Sequence, residues 1–193
     1  MKNRKSLNVR KLVLLAILTA IVVILQLLSV LFPVYPFRLA LVLVPIVIGA
    51  ALIGPLASLW LGGVFGVVVL ITSPDASFFM MYNPLATIGV IISRGLLTGL
   101  SAGIIYQFLV YKSKTGAVVA AALASPIVNT GIFILGLYVF FQPLVGNVFE
   151  FFIAFVLLNF GIEVAVNIVL CPTIIRLIQY RQINAEYYGS SNI

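Results

Sequence analysis

The chain has 193 residues, 63% of them hydrophobic and 8% charged, with a net charge of +7 and a mean hydropathy of +1.27. A soluble domain carries about 25% charged residues, so this surface is not built for water and the chain reads as an all-α integral membrane protein. Histidine is absent and cysteine occurs once, as Cys171, which excludes an intrachain disulfide and removes the commonest proton shuttle and zinc ligand.

The first span is expected over residues 9–32. Its apolar run, Leu12 to Phe32, follows the basic pair Arg10-Lys11. At about 20 residues it matches a bilayer crossing and exceeds a signal-peptide core, and no A-x-A site intervenes before Pro33, so it reads as a retained helix. Ala16 and Ala20 place two methyl-sized side chains on one face of it. In a membrane such a pair lets a second helix approach closely, either a partner's or a neighbour in the same chain.

A second span is expected over 38–53, between Pro33-Val34-Tyr35-Pro36 and Gly54-Pro55, and a third over 56–72, where Gly62, Gly63 and Gly66 predict tight packing. The segment Ser73 to Asn83 (SPDASFFMMYN) is expected to be an apolar, aromatic loop. It serves either as a lid over a ligand or as an anchor in the headgroup region. The fourth, fifth and sixth spans are expected over 84–111, 115–141 and 148–178, with Pro172 bending the inner end of the last. Residues 1–193 thus form one membrane domain of six transmembrane helices, with no convincing internal repeat.

Charge gives the orientation. Lys2, Arg4, Lys5, Arg10 and Lys11 precede the first span, Lys112 and Lys114 lie between the fourth and fifth, and Arg176 and Arg181 lie at the end of the sixth. Six crossings put all three groups, and both termini, on one side, which the positive-inside rule makes cytoplasmic. Asp75 and Glu150 then face outward, beside Arg38. The positive charge reports orientation rather than nucleic-acid binding, since no basic run is interleaved with aromatics.

Two ionisable residues, Arg94 and Glu163, lie deep in apolar runs. Each costs roughly 2.5–3.5 kcal/mol or more at the bilayer centre without a partner or a wet cavity. Counting about 1.5 Å per residue along each helix puts Arg94, Asn129, Asn159 and Glu163 in one layer of the outer half or near the midplane. Asn159, Glu163 and Asn167 form an i, i+4, i+8 stripe, Ser125 and Asn129 an i, i+4 pair, and Thr87, Arg94 and Ser101 recur every seven residues. Such stripes avoid lipid by facing one another or a ligand. Three readings stand here: a ligand pocket, a proton-coupled pair in a stand-alone secondary transporter, or a buried ion pair that only holds the bundle. Enzymatic motifs are missing: there is no G-x-S-x-G, no H-E-x-x-H, no phosphate-cradling glycine loop and no paired acidic metal ligands.

Ala16-Ile17-Leu18-Thr19-Ala20, the run VPIVIGAALIGPLASLWLGGVFG (Val44 to Gly66), NPLATIGVIISRGLLTGLSAGIIY (Asn83 to Tyr106) and SPIVNTGIFILGLYVFF (Ser125 to Phe141), in that order, resemble the S components of energy-coupling factor (ECF) transporters. These are the vitamin-capture subunits of a class of ABC importers, and the last two segments look most like the pantothenate-type branch. The likeness covers nearly the whole chain. It implies a protein of the bacterial plasma membrane that binds a water-soluble vitamin from outside. It implies docking through Ala16 and Ala20 on an EcfT-type transmembrane coupling subunit driven by two ATPases, so that ATP is used by the partners and no cofactor belongs to this chain. It also implies a binding layer of Arg94, Asn129, Asn159 and Glu163, with Tyr82 and Asn83 under the lid. For pantothenate, Arg94 takes the carboxylate and the asparagines the remaining polar groups, while Glu163 suits a hydroxymethylpyrimidine or pyridoxine-like ligand better.

Overall fold

In hydrocarbon only a helix or a closed barrel satisfies its own backbone, and long runs of Leu, Ile, Val and Ala here take the first solution. The computed structural model describes residues 9–31, 42–145, 150 and 157–190. Every element among them is helical: α1 (Val9–Leu31), α2 (Leu43–Leu52), α3 (Pro55–Thr72), α4 (Pro74–Tyr82), α5 (Pro84–Leu109), α6 (Lys114–Phe140), α7 (Gln142–Val145) and α8 (Leu157–Ser190). Four of them, α1, α3, α5 and α6, are long and apolar enough to cross a membrane.

Helix ends follow the punctuation of the sequence. Gly54 turns α2 into α3 with φ of 128°, a left-handed conformation that favours glycine, and Pro55 then occupies the first turn of α3. Prolines also open α4 and α5, where the missing N–H is one the helix would leave unpaired anyway. The Asn83 side chain caps α5 by accepting from the Ala86 N–H at 3.1 Å, and Ser113 caps α6 by accepting from the Gly116 N–H at 3.1 Å.

Two expectations change. The segment Ser73 to Asn83 is not a loop: residues 74–82 form the nine-residue helix α4. Within the expected second span, α2 covers ten residues, roughly 15 Å of helix, and residues 38–41 lie outside the described residues. The last helix does not stop near 178 but continues through Pro172 to Ser190. The Pro33–Pro36 turn, Arg38, Lys2, Arg4, Lys5 and most of the expected start of the sixth span lie outside the described residues, as does the Arg181 side chain.

The core is centred on α2. Leu43, Ile46 and Val47 are fully enclosed, packed with Leu18 and Val22 of α1, Leu61 of α3, Val118 of α6 and Ile174 of α8. Cys171 lies buried in the same cluster. Among the described helices, α3 and α5 approach until backbone meets backbone. A Cβ built on Gly62 would run into the Gly95 carbonyl, one on Gly95 into the Gly62 carbonyl, and one on Gly99 into the Ser58 carbonyl. Small residues allow this contact, which dispersion and backbone dipoles then stabilise in the absence of a hydrophobic force between helices. The expected tight packing at Gly62 and Gly66 is therefore present. Its other half, the Gly95, Gly99 and Gly103 stripe of α5, carries the same four-residue spacing in the sequence and was open to the same argument.

Candidate functional site

Gly95 faces α3, and its neighbour Arg94 projects toward α6. There the Arg94 Nε–H donates to Asn129 Oδ1 at 2.8 Å. The Asn129 amide in turn donates from Nδ2 to Glu163 Oε2 of α8 at 3.4 Å. One amide thus joins the cation of α5 to the carboxylate of α8, accepting from one and donating to the other. Asn129 and Glu163 are buried, at 2% and 8% exposure, whereas Arg94 is half-buried. An amide does both jobs from two separate atoms, since its oxygen accepts and its nitrogen donates.

Aromatic rings complete the setting of the guanidinium. Arg94 Cζ lies 5.2 Å from the Phe133 ring centroid and 6.0 Å from that of Phe65, within the range where a ring face attracts a cation. Phe133 stands four residues beyond Asn129 on α6, so the two share one helix face. Phe133 also meets Phe79 of α4, edge to face at 6.1 Å, and Phe79 packs on Phe141 at 4.8 Å. Phe133 therefore touches both the guanidinium and the short helix α4. Neither Phe65 nor Phe133 stood out as a polar-site residue in the sequence, although the position i+4 from Asn129 was the signal for the latter.

Of the residues singled out in the sequence, Arg94, Asn129 and Glu163 come together. Asn83 and Tyr82 have other roles among the described contacts: the Asn83 carboxamide oxygen is the α5 cap, and the half-exposed Tyr82 ring lies 6.2 Å from Phe141. The Asn159 side chain lies outside the described residues. Thr87 and Ser101 do not join the row. Their hydroxyls donate to carbonyls of their own helix, Thr87 to Asn83 at 2.8 Å and Ser101 to Thr98 at 2.9 Å.

On α1, Leu18, Val22 and Gln26 turn inward, and Ala16 and Ala20 are both exposed. Neither alanine is buried against a helix among the described residues. Between them Thr19 accepts a hydrogen bond from the Trp60 indole N–H of α3 at 3.3 Å, and donates to the Leu15 carbonyl at 2.8 Å. The small-residue face is thereby held at a defined angle beside α3.

A cation fixed by an amide, with aromatic rings on its flanks and an anionic anchor behind, is suited to hold a small polar molecule. Comparison with known proteins bears on which class of molecule. A family model described as the substrate-specific component of ECF transporters matches residues 10–175. No curated protein matches the chain.

Proposed function

The chain belongs to the substrate-specific components of ECF transporters, and on that premise we propose that it captures a small carboxylate-bearing vitamin, pantothenate first, between α5, α6 and α8. Family membership makes it a multi-pass membrane protein and a transporter subunit rather than an enzyme, and it carries with it a small-molecule substrate and partnership with a coupling and ATPase module. It also supersedes the stand-alone transporter and purely structural readings.

The observation behind the substrate is the row Arg94–Asn129–Glu163. Glu163 is engaged by Asn129 without any ligand, so its presence no longer argues against an acidic one. Asn129 takes only the Nε–H of Arg94. The two terminal nitrogens keep the planar fork that matches a carboxylate with two parallel hydrogen bonds. Hydroxymethylpyrimidine and pyridoxine rank behind because they offer that fork no carboxylate. Asn159, Tyr82 and Asn83 remain part of the proposed pocket wall.

Transport follows the rest of the proposal. Six spans with cytoplasmic termini would place the row in the outer half of the bacterial plasma membrane. The exposed Ala16–Ala20 face docks on the EcfT-type subunit, and two ATPases hydrolyse ATP outside this chain. Native mass spectrometry of the purified protein tests the substrate, with pantothenate, pyridoxine, riboflavin, thiamine and folate offered together. One pantothenate per wild-type chain, lost in Arg94→Ala, is the expected result. A different vitamin at one copy per chain, or pantothenate retained by a folded Arg94→Ala protein, would overturn it.

A further inference from the structure

Among the described residues, two buried side-chain oxygens, Thr98 Oγ1 and Asn167 Oδ1, have no hydrogen-bond partner, and the helix register brings them to one level. Along α5 and α6, Val90 lies against Gly136 and Arg94 bonds Asn129, so the two helices run antiparallel. One turn further from the Asn83 end, Thr98 falls opposite Ser125. Asn129 also bonds Glu163. One turn along α6 and α8 in the same sense, Ser125 falls level with Asn167. Beneath the charged row there is thus a second, uncharged row of Thr98, Ser125 and Asn167, each fully enclosed.

We infer that this lower row is a deep subsite for a neutral hydrogen-bond donor, a hydroxyl or an amide N–H, on the same ligand whose carboxylate meets Arg94. The inference rests on the carboxylate reading above and adds the chemistry of the ligand's other end. Ser125 donates to the Ala121 carbonyl at 2.8 Å and Asn167 Nδ2 to the Glu163 carbonyl at 2.9 Å. The atom of Asn167 left without a partner is Oδ1, and an amide oxygen can only accept. The occupant therefore has to donate. A metal ion would donate nothing, any cation would sit one turn from Arg94, and an anion would meet the Asn167 and Ser125 acceptors. One helical turn, about 5.4 Å, separates the rows, so the donor lies a few bonds from the acid group.

The same unpaired oxygens make stability and affinity move in opposite directions. An orphaned buried hydroxyl is destabilising, and replacing it by an apolar group of the same shape is neutral or stabilising. Ligand-free Thr98→Val protein should therefore melt at or above the wild-type temperature in detergent, while its Kd for pantothenate, read by calorimetry, rises about tenfold. Thr98→Ser, which keeps the hydroxyl, should restore affinity, and Asn167→Leu should weaken it as Thr98→Val does. Wild-type affinity in both Thr98→Val and Asn167→Leu overturns the subsite, as does a Thr98→Ser protein that binds no better than Thr98→Val. Arg94→Ala separates this failure from that of the carboxylate reading. If it binds pantothenate as the wild type does, or if the wild type leaves pantothenate unbound, the upper row is misassigned and the lower row falls with it.

Discussion

The two sides of α5 solve opposite problems. Toward α3 it offers Gly95, Gly99 and Gly103; at the first two the helices meet backbone to backbone, and at Gly103 α5 meets Pro55 and the Ser58 hydroxyl. Toward α6 it offers Val90, Arg94 and Thr98, and the helices meet through side chains that carry charge, hydrogen bonds and unpaired oxygens. Adjacent residues, Arg94 and Gly95, belong to different regimes because a helix turns about 100° per residue. The seam with α3 holds α5 in place without adjustable parts. A guanidinium in an apolar bundle needs such a fixed post, since its partners are useful only at hydrogen-bond distance and in the right direction.

The contrast can be broken most severely from the α3 side. Gly99→Leu puts a branched side chain into the Ser58 carbonyl, and because the obstacle is backbone, the helices have to separate. A loss of several kcal/mol is expected, enough to prevent a single folded species; size-exclusion profiles and melting in detergent report it. A Gly99→Leu protein that melts as the wild type does would mean the seam is not the fixed side.

Next in size is a substitution that touches neither regime. Ala16→Trp lies on the exposed face of α1 and should leave vitamin binding unchanged in the isolated chain, yet abolish ATP-driven uptake in vesicles containing the assembled complex. Uptake at the wild-type rate would remove the docking assignment while leaving the site intact.

The smallest effect sharpens the polar side itself. Phe133→Leu keeps bulk against Phe79 but removes the ring face 5.2 Å from Arg94. Partly desolvated cation–ring contacts are worth about 0.5–2 kcal/mol, so pantothenate affinity should fall roughly three- to thirtyfold in a titration, with little change in melting temperature. No change in affinity would leave the ring as packing for α4 alone.

How far the sequence carries depends on the kind of residue. Arg94, Asn129 and Glu163 are legible because polar groups in apolar helices are expensive and must find one another, and counting depth along antiparallel helices brings them to one level. That Asn129 stands between the two charges is not legible, because it depends on helix rotation. The seven-residue recurrence of Thr87, Arg94 and Ser101 suggests a common polar face, but hydroxyls can satisfy themselves on their own helix, and both do. Nine residues of α4 escape periodicity because Phe78, Phe79, Met80, Met81 and Tyr82 are consecutive and mark no face. The better clue was Ser73-Pro74-Asp75, a helix-opening combination. Ala16 and Ala20 admit two uses because every face of α1 is apolar, and their exposure, which bears on the choice, depends on helix rotation that the sequence does not give.

The hydrogen bond between Trp60 and Thr19 also gives the molecule a built-in optical gauge. Trp60 is the sole tryptophan, it is 56% exposed, and its indole N–H rests on the residue between the two alanines. Indole emission depends on that bond and on the polarity around the ring, so the intrinsic fluorescence of the unlabelled chain originates beside the α1 face. Whatever meets that face can be followed in real time by light from a residue the protein already carries.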